Sequence, residues 1–160
     1  MSASSQRLID TLRAHVTNRD PDAALDAIAA GATARDAVVW GCRCGWSLWR
    51  PQPPPAEDAA LAVANRWVWE GSDAFRLQAD EMAKRVDAGL TRWLLSAVVH
   101  SGGTICMPGE TVPRPTPDRG APFVVGFVRT LLARCDARDR PRQAMAFVSL
   151  ACQTLEQTRA

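Results

Sequence analysis

The chain has 160 residues, of which 47% are apolar and 22% charged, and a formal net charge of +2. That length makes one ordinary domain, able to bury roughly two-thirds of the surface its unfolded chain exposes, and the composition excludes wholesale disorder. The charge is close to balance, and arginine supplies all of the basic side except Lys84. This excludes a strongly basic nucleic-acid surface, so no nucleic-acid partner is expected.

Ser4 or Ser5 can cap a first helix that carries Leu8, Leu12 and Val16 at four-residue spacing. Asp20 and Pro21 open a second: aspartate accepts free N–H groups, and proline loses nothing at the first helical position. Leu25 and Ile28 form its apolar face, and Gly31 is its expected stop. Thr33 with Asp36 resembles a capping box and predicts a third helix from Ala34 to about Trp49. Val38, Cys42, Trp46 and Trp49 share one of its faces, and Val39 and Trp40 widen that face. So apolar a helix is expected to be buried on more than one side.

Residues Pro51 to Pro55 form a short proline-rich connector, read as a spacer. Pro55 starts a fourth helix that reaches Glu70, with a stripe of Leu61, Ala64 and Val68 flanked by Trp67 and Trp69, and Gly71 ends it. Ser72 caps a fifth, carrying Phe75, Ala79, Met82 and Val86 and ended by Gly89. Thr91 caps a sixth, running through Trp93 to Val99 and expected at the centre of the core. Ser101, Gly102 and Gly103 stop it. From Gly102 to Gly120, four prolines and four glycines predict one long loop without regular structure, a length that is usually functional or disordered. Pro122 opens a seventh helix with Phe123, Phe127, Leu131 and Cys135 in register. Asp139 caps an eighth with Ala144, Phe147 or Val148, Ala151 and Leu155. The expected fold is all-α: a single domain over residues 1–160, a compact irregular bundle of about seven to eight helices with that Pro/Gly-rich loop.

The chemistry-bearing residues form no recognisable centre. Cys42 and Cys44 are one residue apart, whereas zinc sites use wider spacing and a second pair of ligands. On a helix the two point to different sides, so both are read as packing residues and no metal is expected. The five cysteines are an odd number, and reduced thiols are expected rather than disulfides. His100 ends the sixth helix, where an imidazolium meets the negative end of the macrodipole, and reads as a helix-end cap. The alternative is an enzyme or small-molecule binder in which His100 serves Ser101 or Cys106; no orienting third group stands at recognisable spacing. The run Ser101 to Thr104 looks like an anion cradle, but it follows a helix C-terminus, where the dipole opposes phosphate. It reads as a stop and a sharp turn, and no cofactor is expected.

Arg129, Arg134, Arg138, Arg140 and Arg142 interleave with Asp136 and Asp139, as on a solvated helix junction. The longest strongly apolar run, Trp93 to Val99, is far short of the ~20 residues that span a bilayer, so no membrane is expected. The polar opening, Met1 to Asp10, lacks the apolar core of a secretory signal and points to a cytoplasmic protein. The chain has six tryptophans and no tyrosine. Most are expected in the core, and one or two on the surface, since tryptophan is enriched in interfaces.

An ordered set of short motifs carries a resemblance. Residues 36–44 (DAVVWGCRC), residues 64–68 (ANRWV), Arg76 and residues 101–105 (SGGTI), followed by Met107, Pro108 and further prolines, resemble a family of small uncharacterised all-helical proteobacterial proteins often associated with type VI secretion loci. Order and spacing agree from about Ala34 onward. The chain departs in having Val39 and Trp40 where a double tryptophan is usual, and Thr104 where serine is. The resemblance implies a non-enzymatic accessory, adaptor or chaperone-like module that binds another protein, a secretion component or an effector. Its candidate partner-binding residues are Trp67, Trp69, Arg76, Ser101, Gly102, Gly103, Met107 and Pro108. An immunity protein that neutralises a cognate toxin is the alternative, and the apolar third and sixth helices leave a homodimer open.

Overall fold

The computed structural model describes residues 3–85, 89–105 and 114–158, which form eight α-helices and one two-stranded hairpin. The helices are α1 (Ala3–Asn18), α2 (Pro21–Gly31), α3 (Ala34–Leu48), α4 (Pro55–Glu70), α5 (Asp73–Arg85), α6 (Arg92–Val99), α7 (Ala121–Ala133) and α8 (Arg140–Gln157); strands β1 (Ser101–Ile105) and β2 (Arg114–Asp118) lie between α6 and α7. Among the described residues no helix is long and apolar enough to cross a membrane.

Local chemistry sets several ends as expected. The Asp20 carboxylate accepts from Ala23 N–H at 3.1 Å, and the Thr33 hydroxyl from Asp36 N–H at 3.1 Å. Gly71 closes α4 in the left-handed region at φ 61° and donates to Trp67 O. Other caps differ. Ser4 and Ser5 lie inside the first turn of α1, so neither precedes it as a cap. Gly31 is the last helical residue of α2, and the capping position falls to the extended Ala32. Thr91 makes no cap for α6: its hydroxyl donates to the Glu57 carboxylate at 2.6 Å, tying α6 to α4. The Asp139 carboxylate pairs with Arg142 instead of capping α8. Both residues have helical backbone in place of the extended geometry usual at a side-chain cap, and both side chains bond elsewhere. Val86, expected on the fifth helix, lies outside the described residues.

α3 is the hub, packed against α4, α6, α7 and α8, while α6 packs against α3, α4, α5 and α7. Two residues on α3 make this possible. Trp40 is buried, and its Nε1–H donates to Phe147 O of α8 at 2.8 Å. Gly41 lets α6 and α7 close in: a methyl group there would stand 2.6 Å from Val124 Cγ1 and 2.7 Å from Leu94 Cδ2.

Part of the long loop expected from Gly102 to Gly120 is instead a pair of strands. β1 and β2 pair antiparallel, with Ser101 opposite Asp118 and Gly103 opposite Thr116; residues 106–113 between them lie outside the described residues. Prolines argue against a central strand because they cannot donate to a ladder, but each strand of a two-stranded sheet has an outer edge where no donor is needed. The hairpin is also pinned at its base. The Asp118 carboxylate accepts from Ala34 N–H at 2.8 Å, at the start of α3, and from Gly120 N–H at 3.0 Å, where α7 begins.

Candidate functional site

Arg76, Gly102 and Gly103, three of the residues singled out in the sequence, meet in the structure. The Arg76 guanidinium, steadied by Asp73 one turn earlier at 3.2 Å, donates to Gly102 O and, at 3.2 Å, to Thr104 O. These carbonyls therefore face α5, while the Gly103 carbonyl accepts the Thr116 hydroxyl of β2 at 3.2 Å. Gly102 and Gly103 have φ of 87° and 97°, a region that costs an ordinary residue roughly 1–2 kcal/mol. A Cβ on Gly103 would also strike the Arg76 guanidinium. This is a strap that holds the hairpin on the helices, with the half-buried Arg76 inside it.

Gly103→Ala and Arg76→Ala are each expected to lower the unfolding free energy by about 1–2 kcal/mol. The double variant should cost clearly less than the sum, because both changes break one contact. Urea denaturation of the four proteins measures this, and additive effects would refute the strap.

The reading of His100 as a helix-end cap holds. Its Nδ1 lies 2.9 Å from Ser96 O, the exposed ring stacks on Phe123 with centroids 4.6 Å apart, and Phe123 in turn meets Trp93 at 6.3 Å. The Ser101 hydroxyl donates to Val98 O at 2.7 Å, so its proton is directed away from His100. Cys106, Met107 and Pro108 lie outside the described residues. Cys42 and Cys44 are both buried, and burial pushes the Cys42 thiol up to about 12 and that of Cys44 well above its ordinary value. Both stay protonated and unreactive at neutral pH. Among the described residues no group of three His, Cys, Asp or Glu could hold a metal ion.

The tryptophans divide sharply. Trp40 and Trp67 are buried, and Trp49 packs edge-on against Phe127. Trp69 is 77% exposed, and Trp46 and Trp93 are each 44% exposed. Trp67 and Trp69 are two apart on α4 and so face different ways, one into the core and one out.

Trp69 stands at a groove of about 490 Å³ between α3, α4 and α8. α3 lines it with Arg35, Asp36, Val39 and Arg43, α4 with Val68 and Trp69, and α8 with Thr154 and Gln157, followed by Thr158. Arg43 Nη1 donates to Thr154 Oγ1 at 2.7 Å and to Gln157 Oε1 at 3.1 Å, and the Asp36 carboxylate accepts the Thr158 hydroxyl at 3.0 Å. Of this set only Trp69 is among the candidate partner-binding residues read from the sequence. The available signal was the spacing of Arg35, Val39 and Arg43, a four-residue recurrence on one side of an otherwise apolar helix.

Residues 11–155 match a family model described as "Family of unknown function (DUF6931)". No curated protein and no solved structure matches the chain.

Proposed function

Since the chain belongs to DUF6931, whose function is unknown, its role must be argued from its own surface, and we propose that it is a non-enzymatic protein-binding module of the cytoplasm, an accessory, adaptor or chaperone-like partner of a type VI secretion component or effector. The observation that carries this reading is the exposure of Trp46, Trp69 and Trp93 around a core that already buries Trp40 and Trp67. Large apolar side chains left in water are a standing cost that burial in a partner removes, and tryptophan is the residue most enriched among binding hot spots. The secretion setting rests on the motif resemblance from Ala34 onward. The engagement of His100 and Ser101 with backbone carbonyls of α6 favours binding over catalysis at that turn.

The test is capture of the tagged full chain from its native host after crosslinking, with Trp69→Ala and Trp93→Ala alongside. A secretion component or effector encoded in the same locus is expected with the unaltered chain. At least one variant should bind it about thirtyfold more weakly, the size of a 2 kcal/mol hot spot. Recovery of no such protein, or recovery by both variants as strong as by the unaltered chain, refutes the reading.

A further inference from the structure

We propose that the groove between α3, α4 and α8 receives a short acidic segment of the partner, in which two carboxylates flank an apolar side chain. The proposal rests on the binding role above and names the chemistry of what is bound.

Arg35, Val39 and Arg43 lie on one face of α3, and eight residues of helix set the two arginines about 12 Å apart along the axis. Neither forms an ion pair among the described residues, and Arg35 is exposed and makes no hydrogen bond among them either. Arg35 also occupies the first turn of α3, the end whose partial positive charge disfavours a cation. A cation kept where its own helix repels it, with no ion pair among the described residues, suits an anion from outside.

Arg43 adds a positioned donor. Two uncharged acceptors, Thr154 and Gln157, hold one of its nitrogens, which leaves the rest of the guanidinium fork for a carboxylate. The C-terminal end of α8 attracts Arg43 as well, and that attraction explains its position without a ligand. It does not explain Arg35, so the test turns on Arg35. Asp36 opposes the two cations, though its carboxylate already takes the Thr158 hydroxyl, and the lining keeps an excess of positive charge. Val39, between the arginines on α3, and Val68 and Trp69 of α4 supply the apolar part of the lining. An extended chain rises about 3.3 Å per residue, so carboxylates four residues apart match the spacing.

The probe is an acetylated, amidated Glu-Ala-Leu-Ala-Glu peptide, titrated at low salt into the isotope-labelled full chain. The Trp69 indole and Arg35 and Arg43 side-chain signals are followed, with Gln-Ala-Leu-Ala-Gln as the neutral control. Saturable shifts at Trp69 are expected from the acidic peptide. Affinity should fall at least tenfold for the neutral peptide and for Arg35→Glu, and fall again at raised salt. Arg35→Glu should leave the unfolding midpoint unchanged or raise it, because a carboxylate suits that helix end.

Equal binding of the two peptides, unchanged binding by Arg35→Glu or no saturable shift overturns the proposal. So does a concentration-dependent dimer that Arg35→Glu abolishes, which would assign the groove to a second copy of the chain. Trp69-dependent capture of a locus-encoded protein that survives Arg35→Glu would remove this proposal and leave the binding role standing. Peptide binding with no locus partner would do the reverse.

Discussion

Replacing Trp40 with alanine is expected to lower the unfolding free energy by about 3–5 kcal/mol, the range for emptying a large aromatic site in a core. Trp40 sits on the hub helix, and Ile28 and Ala32, Ala37 of its own helix, and Ala151 and Leu155 of α8 lie beside it. The loss would leave a small domain, stable by only ~5–15 kcal/mol in total, close to unfolding. Trp40→Phe separates packing from hydrogen bonding. It keeps much of the apolar volume and loses the donor to Phe147 O. That carbonyl belongs to a helix interior and keeps its backbone partner, so the cost should be about 1–2 kcal/mol. Urea denaturation gives both values. An alanine variant within about 1 kcal/mol of the unaltered protein would show that α3 is not the hub.

Gly41→Val is expected to destabilise by about 3 kcal/mol or more, because overpacking forces neighbours off their rotamers or separates the helices. The added carbons would meet Val124 of α7 and Leu94 of α6 at once, and both side chains are fully buried among close-packed neighbours. Gly31→Ala is the matched control. Its new methyl would lie 3.4 Å from Leu8 Cδ1, an ordinary contact, and alanine is the better helix former. That variant should be neutral or slightly stabilising. Thermal denaturation of the pair checks the contrast, and a Gly41→Val protein as stable as the Gly31→Ala protein would overturn the packing account.

What could be read from the sequence was what is decided within a few residues. Pro55 and Gly71 bracket α4 because proline and glycine fix backbone geometry by themselves, and Thr33 reaches Asp36 without tertiary help. The hairpin was not legible, because Pro115 and Pro117 count against a strand until the sheet is known to have only two. Thr91 was read as a cap because Glu57, its actual partner, is 34 residues away. The candidate site divides in the same way. Trp69 could be separated from Trp67 by helical geometry alone. The setting of Arg43 depends on Thr154, more than a hundred residues distant, and no local pattern encodes that meeting. Arg76 was grouped with Gly102 and Gly103 by the resemblance alone, and their contact depends on a meeting 26 residues apart.

The hairpin has a consequence for how the protein survives crowding. Gly102 and Thr104 turn their carbonyls to Arg76, and β2 carries prolines at 115 and 117, which have no N–H. Two acceptors of β1 are occupied, and β2 lacks an N–H at two of its five positions. A growing cross-β stack needs an edge that both donates and accepts, and this sheet seeds none. For the same reason a binding partner cannot add a strand to it by backbone pairing, which leaves recognition to side chains.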